Sequence, residues 1–167
     1  MEQGVCNACG GNKSGVDARI IRGGKDFQVM KCHSCRLYFL NPMPSKQELA
    51  GFYAGDYRLK YSGVASPEET WFRNYQVDNA FKRVELINYF GINAKTVLDV
   101  GCSEGAFLRV FKAFEKWGVE PSDVFAEFGR REYHLDKVLT GLLEDTELPE
   151  NYFDLITFFQ VLNFFTD

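Results

Sequence analysis

The chain has 167 residues, enough for one ordinary domain or for a small module joined to part of a larger one. Hydrophobic residues make up 46% and charged residues 25%, and 16 Phe with 8 Tyr give a heavy aromatic load, a composition that excludes disorder. A formal charge of -4 excludes an overall basic field for nucleic acid or anionic lipid.

The start, "MEQGVCNACGG", lacks the basic and apolar parts of a secretory signal, and "FDLITFFQVLNFF" is too short and too polar to span a bilayer. A cytoplasmic location is expected, and five unevenly placed cysteines suit a reducing compartment. Residues 1–44 hold four of those cysteines together with strand-like pieces such as "RIIR" and "FQVMKC". Cys6-x-x-Cys9 and Cys32-x-x-Cys35 form two knuckles, and each knuckle presents two sulfurs to one ion. The pair completes a closed four-thiolate shell, the arrangement of a structural zinc site with no open position for substrate. Iron is the chemically allowed alternative, and a redox C-x-x-C pair is a third. His33 is surplus to a filled shell. Six Lys or Arg against three acids in this region shrink to about +1 once thiolates and metal are counted, so nucleic acid is not expected as a partner.

"NPMPS" closes the first region as a linker. Residues 45–94 then read as a helical linker or cap. Ser45 and Glu48 form a capping box ahead of Leu49, Phe52 and Tyr53. Ser66 and Pro67 read as the cap and first residue of a longer helix that carries Phe72, Tyr75, Val77, Ala80, Phe81, Val84, Leu86 and Ile87 to a stop at Gly91.

From Lys95 strand and helix alternate through "TVLDVGC", "GAFLRVFKAF", "KWGVEPS", "DVFAEFGRREY", "KVLTG" and "FDLITFFQVL". Such alternation implies an α/β fold with parallel strands and right-handed crossovers. The turn "LDVGCSEG" departs from the dinucleotide pattern G-x-G-x-x-G, since its glycines are Gly101 and Gly105 only. With Asp99 and Glu104 the turn is acidic, which suits a cationic ligand such as S-adenosylmethionine better than a pyrophosphate. Glu120 ends the next strand, where a carboxylate can accept both ribose hydroxyls. The plainer reading is that these are strand-end acids and that the glycines serve close packing.

"TVLDVGCSEGAFL", "GVEPS" and "LPENYFDLITFFQVL", in this order, resemble the first, second and fourth motifs of class I SAM-dependent methyltransferases. The front part, "CNACG" through "KCHSCRLYFLNPMPSKQELAGFY", is similar to the zinc-ribbon head of a methyltransferase group associated with sugar, polysaccharide or natural-product methylation. The resemblance implies a zinc-ribbon module over 1–44 and the N-terminal half of a Rossmann-like domain over 95–167, whose full sheet runs 3-2-1-4-5-7-6. About 73 residues suffice for four of those strands, so the fourth would be an open edge available to a protein partner or to self-association.

Asp99, Gly101, Cys102 and Gly105 would shape the methionine side of the pocket. Glu120 would hold the ribose, with Pro121 beside the adenine. Leu142 stands where relatives often carry an acid, leaving apolar contact and the backbone of Leu143. Gln160 would face the methionine and the acceptor, a small molecule. Ser103 replaces a frequent glycine. Asn163-Phe164 stands where relatives commonly carry Glu-His, and His134 lies far from that place, so no catalytic base is assigned. The expected activity is methyl transfer. The alternatives are an inactive zinc-dependent binding module and a nicotinamide enzyme.

Overall fold

The computed structural model describes residues 5–6, 8–22, 25–54, 57–64 and 66–162. The chain divides at residues 49/50 into two compact units.

In the first unit, β1 (Ser14–Arg22), β2 (Lys25–Cys32) and β3 (Tyr38–Asn41) form an antiparallel sheet in the order 1-2-3. Met30 pairs with Val16 on one side and Phe39 on the other. The sheet has little interior. Among its apolar residues Met30 is buried, while Val16, Ile20, Ile21 and Tyr38 remain exposed. A unit this small cannot be held by its core alone and requires a staple.

The helix α1 (Lys46–Ala54) opens with the expected reciprocal cap: Glu48 N–H donates to Ser45 Oγ at 3.3 Å, and Ser45 N–H donates to Glu48 Oε2 at 2.9 Å. A short α2 (Tyr57–Ser62) follows, with Tyr57 joining Phe52 and Tyr53 in an edge-to-face trio.

The long helix α3 (Thr70–Tyr89) begins three residues later than Pro67, so Ser66 does not cap it. Ser66 instead closes a preceding turn, its Oγ accepting from Glu68 N–H at 3.2 Å, and Pro67 is buried in that turn. Phe72, Ala80 and Ile87 face inward as the periodicity demands, whereas Tyr75, Phe81 and Leu86 face solvent. Gly91, at φ +66°, follows the helix end.

In the second unit, β4 (Thr96–Val100), β5 (Glu115–Glu120), β6 (Val138–Thr140) and β7 (Leu155–Phe158) form a parallel sheet in the order β6-β5-β4-β7. This is the 3-2-1-4 order that the methyltransferase resemblance implies. β4 is central and almost wholly buried, and β7 is an edge of the described sheet with Ile156 half exposed.

The connections are α4 (Ala106–Val110), α5 (Asp123–Tyr133) and a 3₁₀ turn at Leu143–Asp145. The sequence pattern carries helix through Phe114, but α4 stops at Val110. Phe111 turns extended, at ψ 132°, and buries its ring 5.2 Å from that of Phe107. The resulting core joins Val97, Phe107, Leu108, Ala126 and Val138 to Ala80 and Ile87 of α3. Full burial of the larger aliphatic and aromatic side chains contributes roughly 1.5–3 kcal/mol each. A satellite cluster of Val64, Phe72 and Phe125 ties α3 to α5, with the two rings 5.7 Å apart. Among the described residues no helix is long and apolar enough to cross a membrane.

Candidate functional site

The carboxyl ends of parallel strands form a natural ligand crevice, because the chain must turn there and its backbone groups point outward. Here that rim carries three buried acids: Asp99, Glu104 and Glu120 are 2%, 0% and 5% exposed. Asp99 comes from β4 and Glu120 from the last position of β5, while Glu104 lies in the turn between β4 and α4.

Two positive-φ glycines shape that turn, Gly101 at +72° and Gly105 at +82°. A side chain on either would also collide with the chain's own packing: a Cβ would lie 2.5 Å from Val161 Cγ2 or 2.3 Å from Leu135 Cδ1. The expected close-packing role of these glycines is therefore physically present, and backbone conformation alone already selects them. Gly118 of β5 admits Cys102, whose Sγ would lie 2.6 Å from a Cβ there. Cys102 is buried, and burial pushes its thiol well above the usual range, so it is held as a protonated packing group.

Glu120 braces the turn. Its Oε2 accepts from Ser103 N–H at 2.8 Å and its Oε1 from Ser122 N–H at 3.0 Å, fixing the carboxylate between the turn and the start of α5. Asp99 Oδ1 accepts from Thr157 Oγ1 at 2.7 Å across the β4–β7 pair. Burial pushes its carboxyl up to about 7; the Thr157 bond and the Arg83 guanidinium pull it down, and the Glu120 and Glu104 charges push it further up.

Glu104 Oε2 accepts from Ser103 Oγ at 2.6 Å and Gln76 Nε2 at 3.4 Å, while Glu104 Oε1 is buried with no partner, as is Arg73 Nε. An unmatched buried polar atom costs about 1–3 kcal/mol. The acidic rim thus holds one carboxylate oxygen unmatched among the described residues.

Pro121, Leu143 and Gln160 lie on the segments that follow β5, β6 and β7, on the same rim. Gln160 is exposed at φ +62°. His134 is the exposed cap at the C-terminus of α5, and Asn163 and Phe164 lie outside the described residues.

Four residues at the site escape sequence inspection. Thr157 reaches Asp99 only through strand pairing. Arg73, Gln76 and Arg83 come from α3, and Arg83 stacks 4.2 Å over the Phe159 ring. Gln76 and Arg83 share a helical stripe with buried Ala80 and Ile87, so polar residues on an otherwise inward face were the available signal.

Residues 98–167 match the family described as a methyltransferase domain. This segment is a class I methyltransferase domain. The match begins at Leu98 in β4 and takes in the acidic rim, so the methyltransferase motifs and the buried acids coincide. The chain matches no curated protein.

The second candidate site is in the first unit, where the sulfur atoms of Cys6, Cys9, Cys32 and Cys35 all lie within 4.8 Å of one another. The Cys6–Cys35 and Cys9–Cys32 pairs are 3.5 and 3.7 Å apart. A tetrahedron with metal–sulfur bonds of about 2.3 Å has edges of roughly 3.8 Å, so the four residues fit a zinc ion.

Each knuckle turns through a left-handed residue after its second cysteine, Gly10 at φ +65° and Arg36 at φ +66°. Each knuckle is also tied back to its own first cysteine, with Gly10 N–H bonded to Cys6 O and Arg36 N–H to Cys32 O. Backbone N–H groups of Cys35 and Ser34 aimed at the Cys32 sulfur lower its thiol to about 6. Cys9, by contrast, despite the Gly11 N–H that lowers it, is pushed up to about 12 by hydrogen bonds with Cys35 and Cys32, so the sulfurs share protons that a bound metal would displace. Gly11 packs closely on the cluster: a Cβ there would sit 3.2 Å from Cys9 Sγ and 3.1 Å from Ser34 Oγ, tighter than ordinary contact.

Proposed function

We propose that this chain uses S-adenosylmethionine to methylate a small-molecule acceptor, with a sugar or natural product as the expected class. The observation that carries this reading is the trio of buried acids on the glycine turn of a methyltransferase domain, with one carboxylate oxygen of Glu104 unpartnered. A ligand with an ammonium and a sulfonium and no phosphate complements that rim, whereas a pyrophosphate would be repelled by it. When bound, the cofactor supplies a sulfonium methyl for displacement by a nucleophile.

The chain's own residues bind and orient. Asp99, Gly101, Cys102 and Gly105 form the wall toward the methionine end, and Glu104 offers the ammonium an acceptor. Glu120, at the end of β5 and fixed by two backbone bonds, is the carboxylate for the ribose hydroxyls. Pro121 and Leu143 line the adenine side, and Gln160 faces the acceptor. Holding donor and acceptor in line can supply much of the rate in such transfers. The four-cysteine cluster is assigned to structural zinc, and its closed shell assigns it no part in catalysis.

Calorimetric titration of zinc-loaded protein with S-adenosylhomocysteine tests the reading. Micromolar binding that Asp99→Ala removes is the expected result. A folded, metallated protein that binds NADH but not the homocysteine compound would overturn it.

A second reading is a zinc-dependent binding module, with β7, an edge among the described strands, pairing with a partner. It predicts homocysteine-compound binding without turnover and loss of partner association on Ile156→Lys.

A further inference from the structure

The outer face of α3 carries a pattern that the methyltransferase reading leaves unused. Trp71, Tyr75, Leu86 and Tyr89 are 54%, 59%, 55% and 83% exposed on this 20-residue helix. At about 100° per residue these four fall within a sector of roughly 60°, and exposed Asp78 and Lys82 lie in or beside it. Aromatic and aliphatic side chains thus sit at both ends of one stripe, with an acid and a base between them.

The order along the stripe is self-complementary. Turning a second copy of the helix antiparallel about a two-fold axis at Ala80 sets Asp78 against Lys82 of the second copy, and Lys82 against its Asp78. The same operation sets Trp71 against Tyr89, and brings Tyr75 to within one residue of Leu86. An isologous two-fold interface requires this property, that each contact be made twice by the same patch. Asp78 and Lys82 are one turn apart in one helix, yet neither has a hydrogen-bond or ion-pair partner among the described residues. Their charges are free for a second chain.

The available area suits a weak dimer. Large side chains of this kind expose about 150–250 Å² when free, so the four together present roughly 450 Å² per copy. Two copies reach about 900 Å², below the roughly 1,200 Å² of stable specific interfaces and in the range of weak, transient ones. Antiparallel helices pack at about 8–10 Å between axes, a separation these side chains can fill.

We propose that α3 pairs with α3 of a second copy of this chain in an antiparallel homodimer centred on Ala80.

Sedimentation equilibrium of the zinc-loaded full chain across micromolar concentrations reads the association, with circular dichroism confirming that each variant is folded. Asp78→Lys and Lys82→Asp each place like charges opposite one another, and each is expected to weaken dimerisation about tenfold or more. The double exchange Asp78→Lys with Lys82→Asp recreates the complementary pattern in reverse and is expected to restore the dimer. A mere loss of helix stability would not be repaired in this way.

A monomer at every concentration would overturn the proposal. So would single variants that dimerise like the parent, or a double variant that stays as weak as the singles. Dissolution of the dimer by Ile156→Lys, with both charge variants unaffected, would place the association at the β7 edge instead and would equally overturn it. None of these outcomes bears on whether the acidic rim binds S-adenosylhomocysteine.

Discussion

Replacing Asp99 by Asn preserves the shape of the side chain and an acceptor for Thr157 Oγ1 while removing the charge. In the folded chain burial holds the Asp99 carboxyl at about 7, against a starting value of 3.8. A native group that keeps its proton to higher pH than the unfolded chain makes the unfolded state the poorer proton binder. Stability then falls as pH rises through the interval between the two values. The Asp99 contribution is therefore neutral below about pH 4, grows increasingly unfavourable up to about pH 7, and is level above that. Three pKa units correspond to about 4 kcal/mol, of which roughly 2–3 kcal/mol should develop between pH 5 and 8.

Urea unfolding of parent and Asp99→Asn, each zinc-loaded and compared at matched pH, reads this as a difference in which metal loss affects both proteins alike. The variant should gain on the parent from pH 5 to 7 and run parallel to it above. A difference independent of pH, or one that grows toward acid, would refute the argument that Asp99 is buried at a desolvation cost. The same protein should bind S-adenosylhomocysteine poorly even where it is the more stable of the two, separating stability from function at one residue.

Phe107→Ala should cost about 3–5 kcal/mol in the same assay, because the ring is buried between Phe111 and Phe159 and its loss leaves a cavity. Gly118→Ala should cost about 1–3 kcal/mol by driving a methyl into Cys102 Sγ; adding Cys102→Ala should recover part of that loss, and a purely additive cycle would contradict the contact. Elemental analysis should find one zinc per chain, reduced by Cys32→Ser. Chelation should raise amide exchange across β1 to β3 while leaving β4 and β5 protected.

Much of the architecture was legible because local rules and global fold agree. The C-x-x-C knuckles mark out a four-cysteine cluster by spacing alone, and the structure gathers all four sulfurs. The capping box at Ser45 and Glu48 forms as written, since its partners are three residues apart and need nothing from the rest of the chain. Alternating strand and helix fixed a parallel sheet, and the strand order followed from the methyltransferase resemblance.

What the sequence could not decide depends on distant partners. Ser66 is a good cap by type, but burial of Pro67 in the preceding turn moves the helix start past it. The pattern after Gly105 favours a longer helix, yet packing of Phe111 on Phe107 ends it at Val110. Gly101 and Gly105 read equally as ligand-facing or as packing residues until Val161 and Leu135, 60 and 30 positions away, are seen to fill the space beside them. Composition marks Glu104 as one acid in a loop; only the fold seals it at 0% exposure with one oxygen unmatched. Spacing of a few residues is set by the chain itself, and so sequence determined the four-cysteine cluster, the local cap and the fold class. Burial is set by whatever the whole chain brings against a residue, and so tertiary structure alone decided which acids are desolvated, which glycines are forced, and which face of α3 is left open.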